Sequence, residues 1–275
     1  METHKRIARR LIWTLFGKNI HATDALPVLT GPLKGRLLPK RPALDQMSML
    51  FGRYEPAVIS EILRLAGTTK VAYDVGANLG YVTLALAHGM KNGGKVFAFE
   101  PVPGNVEFLK EVASLNRLEE RVAIFPLALG NAQGQQQFIM WGSSAMHLLE
   151  SAINGQDAAR CPSMMVEGST LDSVVFERKL PPPDLIKIDV EGAEALVLEG
   201  ASRLLSAHAP IIILEIHGPA SARKTWAILG NLNYRWLKLT GNNRSTVPDK
   251  EHLVSYFSKD CWTNHFLLTR EPVQK

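Results

Sequence analysis

Val71-Ala72-Tyr73-Asp74-Val75-Gly76-Ala77-Asn78-Leu79-Gly80-Tyr81 is the stretch that decides how this chain is read. An apolar run closes on an acid, two glycines follow with Asn78 between them, and helix-like spacing starts at Tyr81. A strand that stops in a tight glycine turn aims the unpaired N–H groups of the next helix at whatever sits above it. Glycine is needed there because a Cβ would block close backbone approach. The stretch places a small-molecule site at the carboxyl end of a first strand, where open α/β sheets bind ligands. Alone it is a weak signal. A nicotinamide-binding turn reads G-x-G-x-x-G, Asn78 stands where the second glycine belongs, and a plain strand-turn-helix connection accounts for it too.

Neighbouring segments agree with the sharper reading. Lys95-Val96-Phe97-Ala98-Phe99-Glu100-Pro101 is a second apolar run ending in an acid, twenty residues after Gly80. An acid at that strand tip is placed to accept hydrogen bonds from both hydroxyls of a ribose. Pro101 and Pro103 end the strand, and Val106 to Asn116 resumes helical spacing. Residues 42–70 read as a helical lead-in, with strands expected at 71–75, 95–100, 122–125, 184–190, 211–216, 234–239 and 264–268. Helices are expected at 81–90, up to 116, at 171–177, 193–206 and 221–231. The alternation fails at 134–170, read as an inserted hairpin or cover, and 241–250 reads as a polar loop joining a closing hairpin at one edge. Strands alternating with helices argue an α/β fold with a mostly parallel sheet covered on both faces.

Composition adds limits. The 275 residues suit one α/β domain with an N-terminal extension, divided here as 1–45 and 46–275, and 46% hydrophobic with 21% charged residues is ordinary globular content. Residues 1–41 hold nine Lys/Arg against Glu2 and Asp24, so the net charge of +5 belongs to the front and the body is slightly acidic. A nucleic-acid partner is therefore not expected. The segment from Lys5 to Phe16 is too short to span a bilayer. A solvated or docked helix is the preferred reading, and a basic helix resting on an anionic membrane, with Trp13 and Phe16 dipping in, is the sharper one. Cys161 and Cys261 form no metal-ligand spacing. Two idle thiols fit a reduced compartment, hence a cytosolic location.

Lys187, Asp189 and Glu191 alternate along the fourth strand, and Glu215 and His217 repeat the pattern on the fifth. Ionised groups on a strand buried on both faces cost several kcal/mol each unless they are paired or used. A structural Lys187–Asp189 ion pair explains part of this. Asp189 sits at the carboxyl end, beside the ligand turn of the first strand, so Asp189, Glu191, Glu215 and His217 are expected to ring one pocket mouth.

Asp74 to Thr83, Phe99-Glu100-Pro101-Val102-Pro103, Leu171-Asp172, Leu185 to Glu194 with Val197-Leu198-Glu199-Gly200-Ala201, and Leu214-Glu215-Ile216-His217 together resemble the FkbM family of S-adenosylmethionine-dependent methyltransferases. The matches keep their order over roughly residues 50 to 218, with the Val190–Glu194 block the most specific. The resemblance implies a class I methyltransferase (Rossmann-like) fold: a seven-stranded, mostly parallel sheet with an antiparallel last strand and helices on both faces. It implies S-adenosylmethionine as cofactor, held by Asp74, Gly76, Ala77, Asn78 and Gly80 at the methionine end and by Glu100 and Pro101 at the ribose. Asn116, Ala128 and Leu129 would flank the adenine, and Asp189 would face the methyl group. The implied acceptor is a hydroxyl on a small molecule or glycan: a sugar, a glycolipid or polysaccharide, or a macrolide- or polyketide-type molecule. Asp189 is the first choice for general base and His217 the second, with Glu215, Glu191 and Lys187 completing the catalytic group. A divalent ion on Asp189, Glu215 and His217 is the alternative, hard O/N ligands suiting Mg or Mn. Trp141, Met146, His147, Met164 and Met165 are candidate acceptor liners. A nicotinamide-dependent oxidoreductase and a non-catalytic binding protein on the same scaffold are the rival classes.

Overall fold

The computed structural model describes residues 25–40, 44–91, 93–141, 146–149, 162–258 and 261–270. Residues 1–24, which carry the basic Lys5–Phe16 segment, lie outside them, as does Cys161. A short hairpin opens the described chain, β1 (Ala25–Pro27) against β2 (Leu37–Pro39). Leu33 and Leu38 are fully buried and share a core cluster with the helices that follow. Those are α1 (Leu44–Leu50) and α2 (Pro56–Ala66), the second started by a proline and burying Val58, Ile59, Ile62 and Leu65 on one stripe.

The expected alternation then begins with β3 (Val71–Val75), α3 (Tyr81–Gly89), β4 (Lys95–Phe99), α4 (Pro103–Leu115) and β5 (Val122–Phe125). Three strands from the segment 134–170, β7 (Gly134–Trp141), β8 (Met146–Leu149) and β9 (Ser163–Ser169), join β6 (Ala128–Leu129) from just before it in a second sheet of order β6-β9-β7-β8. A π-helical turn, Ser173–Glu177, occupies the expected short helix and leads to β10 (Leu185–Ile188). The helix expected at 193–206 is two, α5 (Glu194–Glu199) and α6 (Ser202–His208). It breaks where Gly200 passes so close to Gly130 that a Cβ would lie 2.0 Å from the Gly130 carbonyl oxygen. The rest is β11 (Ile211–His217), α7 (Gly218–Gly230), β12 (Arg235–Thr240), β13 (Asn243–Thr246), α8 (Lys250–Ser255) and β14 (Thr263–Thr269).

The main sheet runs β13-β12-β14-β11-β10-β3-β4-β5. β5, β4, β3, β10 and β11 are parallel to one another, and β14 runs antiparallel to both β11 and β12. This is the seven-stranded class I methyltransferase arrangement with its antiparallel last strand. An eighth strand, β13, comes from the segment read as a polar loop. All four of its residues are exposed, so it lacks the apolar alternation that marks a strand in sequence. β3 proceeds outward to β4 while β10 lies on its other side, so the order reverses between β3 and β10. A crevice opens at their carboxyl ends.

Candidate functional site

The turn after β3 is built from backbone that mostly glycine tolerates: Gly76 has φ +81°, Asn78 φ +47° and Gly80 φ +75°. Gly76 and Ala77 both donate their N–H to the Phe99 carbonyl, which seats the turn on the end of β4. Gly76 also lies against the end of β10, where a Cβ would come within 1.8 Å of the Asp189 carbonyl oxygen. Beneath it, fully buried Asp74 accepts a hydrogen bond from Thr83 Oγ1 at 2.5 Å. Burial raises the Asp74 pKa, while the Lys187 charge and the Thr83 bond oppose the rise.

Glu100 is buried at the tip of β4 and accepts from the N–H groups of Asn78 and Val102, both at 2.9 Å, and from Asn105 Nδ2 at 3.3 Å. Burial lifts its pKa, and those three bonds hold it back. A carboxylate offers about four lone-pair positions, so one stays open for a hydroxyl donor. The cleft beside it encloses about 590 Å³, part of it open to solvent. Phe99, Leu127, Ala128, Leu129 and Phe138 form an apolar wall, and Asp189, Val190, Glu191 and Ala193 form a lip, with Val190 and Ala193 packing in one cluster with Ala128 and Phe138.

Behind that lip lies a charged row. Lys187 pairs in register with Asp74 on β3 and Ile213 on β11, so it faces the α2/α3 side of the sheet. Its buried Nζ donates to Asp189 Oδ2 at 2.7 Å and stands 3.7 Å from Glu55 Oε2. Burial alone would lower the Lys187 pKa, but Asp189, Glu55, Glu215 and Asp74 together raise it, so the ammonium persists. β10 ends at Ile188, and the chain turns through Glu191 (φ +51°) and Gly192 (φ +103°). Glu191 therefore arrives over His217 by that turn and not by strand alternation. Its Oε2 lies 3.1 Å from His217 Nε2, with Glu215 Oε1 at 3.7 Å and Asp189 Oδ1 at 4.0 Å from the same nitrogen. His217 Nδ1 lies 2.8 Å from Glu194 Oε1. Burial works against the imidazolium, but the hydrogen bonds to Glu191 and Glu194 and the nearby carboxylates raise the His217 pKa to about 11. Glu215 is held down to about 2: burial pushes it up, and the His265 hydrogen bond at 2.9 Å, with the surrounding positive charge, more than reverses that. For Asp189, burial and the charges of Glu215 and Glu55 outweigh Lys187 and push its pKa up to about 7. Carboxylates outnumber cations around the row, which favours a proton on one of them.

Gly76, Asn78, Glu100, Pro101, Ala128, Leu129, Asp189 and Glu191 thus line one cleft, whereas Lys187, Glu215 and His217 are not among its lining residues. Asp74, Ala77 and Gly80 support the turn from behind, Ala77 packing with Ala98 and Leu109. Asn116 does not reach the cleft. It caps the far end of α4, about 20 Å along that helix, where its amide bonds both the N–H and the C=O of Leu37. The side chains of Trp141, Met146 and His147 lie outside the described residues, Met164 packs beside Phe138, and Met165 is exposed. Glu55, Asn105, Glu194 and His265 were not anticipated. Glu194 stood inside the quoted Val190–Glu194 block, but nothing local reveals that it is fully buried between Gly192 N–H, His217 and Ser221.

The profile of the Methyltransferase FkbM domain matches residues 74–244, which run from the acid under the turn to the edge strand. The chain belongs to the FkbM methyltransferase family. It is 30% identical over 178 residues to the hexuronic acid methyltransferase AglP of Haloferax volcanii, covering 64% of this chain and 68% of that one. It is 27% identical over 179 residues to the AMB antimetabolite synthetase AmbE of Pseudomonas aeruginosa, covering 54% of this chain and only 8% of that much longer protein. The solved FkbM methyltransferase of Methylobacillus flagellatus KT is 19% identical, with 81% of this chain and 52% of that one aligned at a TM-score of 0.45. As an FkbM member this protein is an S-adenosylmethionine-dependent methyltransferase, and the oxidoreductase and non-catalytic readings are set aside. The residues present suit that cofactor chemically: a carboxylate with an open lone pair for a ribose hydroxyl, an apolar wall for a purine, and a glycine turn beside the carboxylate.

Proposed function

We propose that this FkbM protein methylates a hydroxyl oxygen of a sugar-type acceptor, with Asp189 taking the hydroxyl proton. The observation that carries this is the division of labour on Asp189: Oδ2 is held by Lys187, while Oδ1 is buried at the lip with no hydrogen-bond partner among the described residues. An orphaned acceptor at that depth is costly unless a donor arrives, and an acceptor hydroxyl is such a donor. A base with a pKa near the working pH serves such a transfer best, contributing on the order of 10²–10⁴-fold. Asp189 fits that requirement. His217, already an imidazolium at neutral pH, does not. Its role in this reading is to hold Glu191 and Glu194 and so shape the lip.

The cofactor is assigned to the 590 Å³ cleft, with Glu100 on the ribose, Ala128 and Leu129 on the adenine, and the Gly76–Gly80 turn at the amino-acid end. When bound, S-adenosylmethionine supplies a methyl group already activated by its sulfonium. Asp189 and the lip then need only orient the acceptor oxygen and receive its proton. Likeness to a hexuronic acid methyltransferase supports a sugar acceptor over a polyketide.

A second reading has its own observation: Asp189, Glu191 and His217 offer ligand atoms within 4.8 Å of one another, as do Glu55, Glu215 and His265. The metal set is then Asp189/Glu191/His217, with Glu215 engaged by His265. Lys187 already stands as a cation between Asp189 and Glu55, which favours the metal-free route. Calorimetry with S-adenosylhomocysteine and NADH, then transfer assays on a glycoside panel by mass spectrometry with and without EDTA, test both. Binding of S-adenosylhomocysteine and EDTA-resistant methylation are expected. Loss under EDTA with rescue by Mg would install the metal, and preference for NADH would overturn the reading.

Among the described residues no helix is long and apolar enough to cross a membrane. A cytosolic location with a solvated or docked N-terminal segment is part of the proposal, and a basic face resting on an anionic surface is its sharper alternative. Flotation of the full chain with anionic liposomes tests it.

A further inference from the structure

One aromatic ring beside the strand tips has no part in the chemistry above. Trp262 is 56% exposed although it directly precedes β14, a strand of the central sheet. Its backbone is fixed: its carbonyl accepts the Gly218 N–H at 2.9 Å, and the next residue, Thr263, pairs in register with His217. Its ring is fixed as well. A Cβ on Gly218 would meet Cζ2, Cη2 and Cε2 of the indole at 2.6, 2.9 and 3.0 Å, so the benzo edge lies directly on the Gly218 backbone. Gly218 has φ +82° and begins α7 immediately after His217. A flat apolar surface is thereby held open at the end of β11, next to the histidine whose Nε2 faces Glu191 and Asp189.

We propose that Trp262 is the stacking platform for a pyranose ring of the acceptor, with the ring's hydroxyls directed to Glu191 and Asp189. This rests on the sugar-methyltransferase reading and extends it to a specific subsite. A pyranose presents an apolar C–H face and a rim of O–H donors, so its site needs a rigid exposed aromatic beside unsatisfied acceptors. The indole on Gly218 supplies the aromatic, the orphaned Oδ1 of Asp189 supplies the unsatisfied acceptor, and the partly exposed Glu191 carboxylate, one oxygen of which meets His217 Nε2 at 3.1 Å, adds acceptor capacity. The carboxylates disfavour a phosphorylated or nucleic-acid ligand at this mouth, and a rigid single ring flanked by acids does not suit an extended aliphatic chain.

The test uses the full chain, ¹⁵N-labelled and saturated with S-adenosylhomocysteine, with the Trp262 indole N–H resonance identified by its loss in Trp262→Phe. Methyl glycosides of a hexuronic acid, a hexose and a 6-deoxyhexose are titrated, with sorbitol as the ring-less control. At least one glycoside is expected to move the Trp262 resonance saturably while sorbitol does not. Trp262→Ala should weaken that glycoside roughly tenfold, leave S-adenosylhomocysteine affinity unchanged, and be largely rescued by Trp262→Phe. A resonance unmoved by every glycoside, moved equally by sorbitol, or moved by protein dilution alone overturns the platform while leaving the methyltransferase assignment intact. Failure of S-adenosylhomocysteine to bind at the outset defeats that assignment instead, and the platform with it.

Discussion

Asp189 has its two oxygens in different circumstances, and that difference sets what a substitution does. Oδ2 neutralises Lys187 at 2.7 Å, whereas Oδ1 is buried 4.0 Å from His217 Nε2 with no hydrogen-bond partner among the described residues. Asp189→Asn preserves shape and leaves a carbonyl for Lys187 but removes the proton acceptor. We expect S-adenosylhomocysteine affinity to stay within a few-fold and kcat to fall on the order of 10²–10⁴-fold, measured by calorimetry and by methyl transfer to the best glycoside. Unchanged turnover would remove Asp189 as the base. Asp189 and Glu100 could be singled out in sequence because each ends an apolar run, Glu100 twenty residues after Gly80 and Asp189 in alternation with Lys187 and Glu191. Glu194 was not, because its partners His217 and Ser221 lie 23 and 27 residues away and meet it only in the fold. Asn116 misled for the opposite reason: it ends the helix that begins at the site, and that helix returns the chain from the carboxyl end of β4 to the amino end of β5.

At the scale of the element, the turn between β3 and α3 depends on Gly76. Its positive φ is one constraint, and the 1.8 Å between a hypothetical Cβ and the Asp189 carbonyl oxygen is the stronger one, because backbone cannot rotate away. Gly76→Ala must part the ends of β3 and β10 or distort the turn. We expect a loss of at least about 2 kcal/mol of stability, from left-handed strain and the forced separation, read from the urea midpoint, together with weakened S-adenosylhomocysteine binding. Gly93, also at positive φ but with nothing within 4 Å, is the control: Gly93→Ala should cost far less. The glycine spacing announced a turn, but the neighbour that makes Gly76 irreplaceable comes from a strand more than a hundred residues later. The break between α5 and α6 was hidden likewise, since Gly200 yields to the backbone of Gly130 and to nothing local.

For the whole molecule, the row of charges behind the lip ties stability to pH. His217 holds its proton in the fold up to about 11, against an ordinary value of 6.5. The folded state therefore binds that proton more tightly than the unfolded chain. The resulting stabilisation is complete below about pH 6.5 and is lost as pH rises towards 11. In EDTA-containing buffer the urea midpoint of the wild type should fall between pH 7 and pH 10, and that of His217→Gln should fall less. Equal slopes for the two proteins would mean that His217 is not charged in the fold.

Local spacing by itself determined the α/β alternation, the glycine turn, the acids at the ends of β4 and β10 and the family resemblance, because each depends on residues within one strand, turn or helix. Only the tertiary structure decided which strands are neighbours, and with them the Lys187–Glu55, His217–Glu194 and Glu215–His265 contacts, the eighth strand and the indole resting on Gly218. Those depend on backbones brought together from distant parts of the chain, and burial then makes charge pairing obligatory where sequence shows only charges.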